Sequence, residues 1–196
     1  MSLSILAITT SPRRHGNSET ALDTFLAELP PSVTREKVVL NDLKVAPCKG
    51  CGFCEKTGMC VQKDDFLPLA EKIQACSVLV FASPVYSLSV CAQAKAMIDR
   101  CQMFWAQKYV LHTFVKPAGK FGVFIATAGQ SRENIFEHTV PVARFLFNVA
   151  GIGDKRTLML LLSGLDARND FKESADAIER TKHTAAQLVS MLEQNV

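Results

Sequence analysis

The chain has 196 residues, 48% of them apolar, which is a size for one domain and enough to bury a full core. Its net charge of +3 comes without a long basic run, so nucleic acid and anionic membrane surfaces are not the expected partners. No apolar run approaches the roughly 18 residues that cross a bilayer, and the short run at 3–8 precedes its arginines, the reverse of a secretory signal, so a cytoplasmic protein is expected.

In chain order, LSILAIT at 3–9 is a continuous apolar run of strand length. Residues 18–29 then place Leu22, Phe25, Leu26 and Leu29 on one helical face before Pro30 and Pro31 stop it. A second strand is predicted over 35–42, and Asp64 or Asp65 caps a helix running to about Ala75. A third, apolar strand follows at 77–84, and a third helix from about Val90 to Phe104. The pattern continues with a strand at 119–128, a helix at 134–150, a strand at 156–164 and a last helix at 171–193.

Apolar strands alternating with helices predict an α/β fold: a doubly wound, five-stranded parallel sheet of flavodoxin-like order 2-1-3-4-5, with helices on both faces. The reading takes 1–196 as a single domain, with a cysteine-rich loop at 46–65 inserted after strand two. Ligands of such sheets sit beyond the carboxyl ends of the strands, at the switch point between strands one and three.

Three loops fall at that rim. After strand one, TTSPRRHGNS offers the hydroxyls of Ser11 and Ser18, the Asn17 amide, a guanidinium from Arg13 or Arg14 and the N–H groups of a helix N-terminus, a set suited to one phosphate monoester. It lacks G-x-G-x-x-G and G-K-[ST], which argues against a dinucleotide or a nucleoside triphosphate, and the alternative is an ordinary polar turn. After strand three, Pro84, Val85 and Tyr86 could line a flat ring. After strand four, Thr127, Ala128 and Gly129 present backbone groups for a ring's polar edge. Together the three loops favour FMN over an empty rim. His15 and His112 are lone histidines, expected to be structural or exposed.

The cysteines are spaced Cys48-x2-Cys51-x2-Cys54-x5-Cys60. In a reducing compartment such a cluster suits metal or redox chemistry more than structural disulfides. Successive C-x2-C steps suit an iron–sulfur cubane, with Gly50, Gly52 and Gly58 in the turns and Lys44, Lys49, Lys56 and Lys63 offsetting thiolate charge. Two alternatives stay open: a tetrahedral zinc site, whose usual form is two separated pairs, and free or disulfide-linked thiols that only shape a surface. Cys76, Cys91 and Cys101 are expected to be buried structural thiols.

SPRxxGNS after strand one, SPVY and AQxKxxIDR around helix three, and the cysteine stretch together resemble the NAD(P)H-dependent FMN reductase superfamily, and within it the iron–sulfur flavoproteins. The resemblance implies that Ser11, Arg13, Asn17 and Ser18 hold an FMN phosphate and that Pro84, Val85 and Tyr86 line the isoalloxazine. It implies that Thr127 to Gly129 reach the pyrimidine edge and that Cys48, Cys51, Cys54 and Cys60 ligate a [4Fe–4S] cluster. Lys95, Asp99 and Arg100 match the family pattern as braces of helix three. The implied activity is electron transfer from NAD(P)H or a reduced ferredoxin to a small acceptor such as a quinone, oxygen or peroxide, in a homodimer or homotetramer. A cluster-free NAD(P)H-dependent reductase and a zinc-stabilised binding module are the competing functions. The chain departs from the pattern after Tyr86, where relatives often carry glycine near Ser87 or Leu88.

Overall fold

The computed structural model describes residues 3–115, 117 and 119–194. Its strands are β1 (Ser4–Thr9), β2 (Thr34–Val39), β3 (Val78–Tyr86), β4 (Ser89–Val90), β5 (Phe121–Thr127) and β6 (Thr157–Leu162). The helices are α1 (Asn17–Ala27), α2 (Phe53–Thr57), α3 (Phe66–Ala75), α4 (Ala92–Arg100), α5 (Gln102–Tyr109), α6 (Thr139–Val149), α7 (Asp170–Glu173) and α8 (Ala175–Glu193). The sheet runs β2-β1-β3-β5-β6, all parallel, with Ile8 opposite Val38 on one side and Phe81 on the other. This is the flavodoxin-like order expected, with one addition: the two-residue β4 pairs antiparallel with the end of β3, so the sheet has six strands rather than five.

The strands read as unbroken apolar runs because both faces are covered. Successive side chains point to opposite faces. Ile5, Ala7, Val78, Val80, Val123 and Ile125 therefore pack with Leu22 and Phe25 of α1 and Leu188 of α8. Leu6, Ile8, Leu79, Phe81, Phe124 and Ala126 pack on the other face with α3, α4 and α6 through Ile73, Met97 and Phe147. The Phe81 and Phe124 rings stack at 5.2 Å between centroids. Burial of each such ring contributes roughly 1.5–3 kcal/mol and fixes the sheet that carries the loops.

Several boundaries differ from the sequence reading: β2 ends at Val39 before a single 3-10 turn at Leu40–Asp42, α6 starts at Thr139 rather than near Asn134, and three further differences have a local reason. The helix expected over 90–104 is β4, α4 and α5 with Cys101 between the helices, because β3 runs two residues past Pro84 and turns back through Ser87 and Leu88, both at positive φ. The last helix is interrupted at Ser174, whose hydroxyl accepts from the Ala177 N–H and starts α8 afresh. The five-residue α2 inside the cysteine loop had no periodic signature; Gly52 and Gly58, both left-handed, bound it. Asp65 stands at the start of α3 but its carboxylate accepts from the Lys44 N–H at 2.7 Å, while Asp64 takes the Phe66 N–H at 3.2 Å. No helix among the described residues is long and apolar enough to cross a membrane.

Candidate functional site

All ten residues singled out at the strand ends line one cavity of about 370 Å³, at the carboxyl ends of β1, β3 and β5. The sequence left two things open, which arginine faces the cavity and how the polar side chains are used. Arg14 is taken by the buried Glu19, at 3.4 Å, and by Asp42, at 2.9 Å, so Arg13 is the guanidinium at the cavity mouth. The Ser11 hydroxyl accepts from the Arg13 N–H and donates to the Arg13 carbonyl, both at 3.1 Å, which folds the loop on itself.

Asn17 lines the cavity as expected, and its amide is also engaged by the protein. It donates to the carbonyls of Leu165 and Ala167, at 3.0 and 2.8 Å, and accepts from the Phe171 N–H at 3.1 Å, tying α1 to the loop after β6. Ser18 and Thr127 share a hydroxyl hydrogen bond of 2.6 Å across the cavity floor. Gly16 precedes α1 without a side-chain cap, so the first-turn N–H groups of the helix are left to an outside acceptor.

Glu19 organises this cradle from beneath. Its carboxylate accepts from the His15 N–H at 2.6 Å and from Lys37 at 2.9 Å, and His15 takes positive φ to make the turn. Burial alone would raise the carboxyl, but those donors and Arg14 hold it down at about 2. Behind the cavity, the Cys91 thiol donates to the Thr10 carbonyl at 3.1 Å and its N–H to the Ser83 hydroxyl at 3.3 Å, knitting the ends of β1 and β3. Cys91 is thus the structural thiol expected of it, and Cys76 and Cys101 are buried too.

The sequence reading missed Leu165 and Asp166 of the loop after β6, which complete the cavity. Their signal was topological: every parallel strand end at this rim is a candidate. Asp166 stands so close that a Cβ on Gly129 would lie 2.4 Å from its Oδ1, so any side chain at 129 would oblige the Asp166 carboxylate to move. Tyr86 and Leu88, both partly exposed, flank the opening.

The four loop cysteines line a second cavity, of about 410 Å³, closed on its far side by Met103 of α5 and Phe145 of α6. All four are free thiols, Cys48 and Cys51 exposed, Cys54 and Cys60 half-buried. Gly50, Gly52 and Gly58 take φ of 62, 68 and 73°, the turns expected of them, and the Gly50 N–H donates to the Cys48 sulfur at 3.4 Å. Burial, and then the neighbouring Cys60, Glu55 and Cys48, push the Cys54 thiol above its ordinary value. Among the described residues no three His, Cys, Asp or Glu side chains converge on a single metal-ion position.

Of the four lysines expected to balance thiolate charge, only Lys49 lines this cavity. The cation at the sulfurs is Arg100, buried at the end of α4, whose Nε donates to the Cys60 sulfur at 3.2 Å. Forty positions separate the two residues, and the sequence marked Arg100 only as a helix brace. The nine residues of α4, roughly 13 Å of helix, therefore connect the cavities: Cys91 at its start backs the first, and Arg100 at its end lines the second.

Comparison with family profiles matches residues 3–154 to the family described as NADPH-dependent FMN reductase. The chain belongs to that family. As an NADPH-dependent FMN reductase family member it is a flavin-dependent oxidoreductase. Curated relatives include an "Iron-sulfur flavoprotein" of Methanosarcina thermophila, 28% identical over 200 residues, covering 97% of this chain and 96% of that protein. One of the same name from Archaeoglobus fulgidus is 44% identical over 91 residues, 46% of this chain, and the match spans only 41% of that longer relative. Among solved structures, an FMN-dependent NADH-azoreductase from Bacillus anthracis, in complex with FMN, superposes with a TM-score of 0.69 at 15% identity, covering 95% of this chain and 99% of that one. The NAD(P)H:quinone oxidoreductase of Methanothermobacter marburgensis superposes at 0.68 with 17% identity, covering 96% and 98%. At these identities the structural likeness establishes the fold.

Proposed function

We propose that the strand-end cavity holds FMN, that Cys48, Cys51, Cys54 and Cys60 ligate a [4Fe–4S] cluster, and that the protein couples the two as an electron-transfer oxidoreductase. The observation that carries this reading is the placement of four free thiols around one cavity, one short helix away from the strand-end cavity. When bound, FMN exchanges two electrons with a hydride donor or one at a time, whereas the cluster exchanges one.

The residues present fit both groups. At the first cavity, Arg13 and the uncapped N–H groups of α1 suit a terminal phosphate, and Pro84, Val85 and Tyr86 offer a wall for a flat ring. The backbone of Thr127 to Gly129 meets its polar edge, and Ile135 and Leu165 exclude water. At the second cavity, an N–H and a guanidinium already donate to sulfur, the environment thiolate ligands take. A tetrahedral zinc site usually takes two separated C-x2-C pairs, whereas Cys48, Cys51 and Cys54 follow one another at intervals of three, and that spacing favours a multi-iron centre.

NAD(P)H or a reduced ferredoxin is the donor in this reading, and a homo-oligomer the assembly, as the family resemblance implies. The test is a stoichiometric titration with dithionite under argon. About three electrons per chain, two for the flavin and one for the cluster, are expected. An end point at about two electrons would contradict the cluster and leave a simple FMN reductase.

A further inference from the structure

Arg100 is an unusual side chain to find in this core. It is 1% exposed, and its guanidinium lies 4.7 Å over the Phe66 ring, away from water. Desolvating such a cation is costly unless every donor is met. All five are. Nη1 donates to Asp64 Oδ2 at 2.7 Å and to the Ala46 carbonyl at 2.9 Å, and Nη2 donates to Asp64 Oδ1 at 3.0 Å and to the Gln62 carbonyl at 3.1 Å. These four bonds staple both ends of the cysteine loop to α4. The fifth, from Nε, goes to the Cys60 sulfur at 3.2 Å.

A bidentate carboxylate and two carbonyls are sufficient to staple a loop, and none of them needs the cation to touch a thiol. A neutral thiol is also a weak acceptor, whereas a metal-bound thiolate takes a charge-assisted bond of full strength. Asp64, itself fixed by the Ala46 and Phe66 N–H groups, lies on the guanidinium edge away from Nε, so the pair presents its positive end to the sulfur. The other charged groups nearby are Asp99, paired with Lys95 at 2.8 Å, and the exposed Glu55 and Lys49.

We propose that Arg100 is a positioning residue that sets the reduction potential of the cluster, through its Nε bond to the Cys60 thiolate, with Asp64 as its opposing charge. The inference rests on the cluster reading above. Adding an electron to the centre is favoured by a buried cation at one ligand and opposed by a half-buried carboxylate behind it, so the two residues act with opposite sign.

The experiment is an anaerobic redox titration, followed by electron paramagnetic resonance, of wild type, Arg100→Gln, Arg100→Lys and Asp64→Asn, each with its iron content measured. Arg100→Gln should lower the equilibrium constant for one-electron reduction at least tenfold, about 59 mV. Arg100→Lys, which keeps the charge without the planar fork, should lower it less, and Asp64→Asn should raise the potential. A purely structural brace would change iron content or folding in all three without opposite shifts in potential. Iron-loaded Arg100 variants at the wild-type potential would overturn the proposal. Should Arg100→Gln fail to fold, a potential in Asp64→Asn that is unmoved or lowered would overturn it as well. Wild type without iron would instead bring down the cluster reading, and this inference with it.

Discussion

The two cavities are built on opposite plans. The strand-end cradle is an extension of the sheet: Thr10, Ser11, Asn17 and Ser18 are buried, the side chains of Thr10, Asn17 and Ser18 bond to the ends of β3 and β5 or to the loop after β6, and Ser11 bonds to Arg13 within its own loop. The cysteine loop has no buried residue in its own short helix and is held by a few long-range side chains, Asp64, Arg100 and Gln107. The cradle is shaped before any ligand arrives because the core pays for it. The loop draws its order from those side chains, so a group bound by its four thiols would add to its stability.

The largest expected effect on the cradle comes from Glu19. Its carboxyl sits at about 2 against an ordinary 4.5, a depressed value, so its contribution is complete above about pH 4.5 and is lost as pH falls towards 2. Glu19→Gln should destabilise the protein at pH 7 by up to about 3 kcal/mol, read from urea denaturation midpoints. The gap from wild type should narrow at about pH 3; a gap that is constant with pH would show that Glu19 acts by packing alone. Cluster loading per folded chain should be unaffected, since Glu19 touches nothing in the cysteine loop.

A smaller effect is expected where the cradle is strained. Ser87 and Leu88 hold φ of 48 and 67°, a turn that normally takes glycine or asparagine, and Leu88 is 39% exposed. Ser87→Gly should therefore stabilise the fold by up to about 1 kcal/mol, since Ser87 is exposed and its replacement relieves strain without removing apolar burial. A thermal midpoint that falls instead would mean that the backbone at Ser87 carries no strain worth relieving.

The sequence made the cradle legible because its signals are local. Strand ends, Gly129 and the run from Ser11 to Ser18 mark themselves by composition and by their place in an alternating pattern. What it concealed was the use each group is put to. That the Asn17 amide also ties down the loop carrying Leu165 and Ala167 shows only once that loop is folded against it, and Arg13 and Arg14 differ only through Glu19 and Asp42. The cysteine spacing was equally plain, yet the role of Arg100 depends on a packing contact across forty residues that no period or motif encodes. The Ser87–Leu88 hairpin was hidden for another reason: its residues contradict the preference of the turn they form.

The most direct test of the two-site account is the flavin, iron and acid-labile sulfide content of anaerobically purified protein, taken with its absorption spectrum. The expected result is one FMN with about four irons and four sulfides per chain, and cluster absorption beneath the flavin bands. FMN at full occupancy with neither iron nor sulfide would contradict the account, and would leave Cys48, Cys51, Cys54 and Cys60 as a loop without its proposed cofactor.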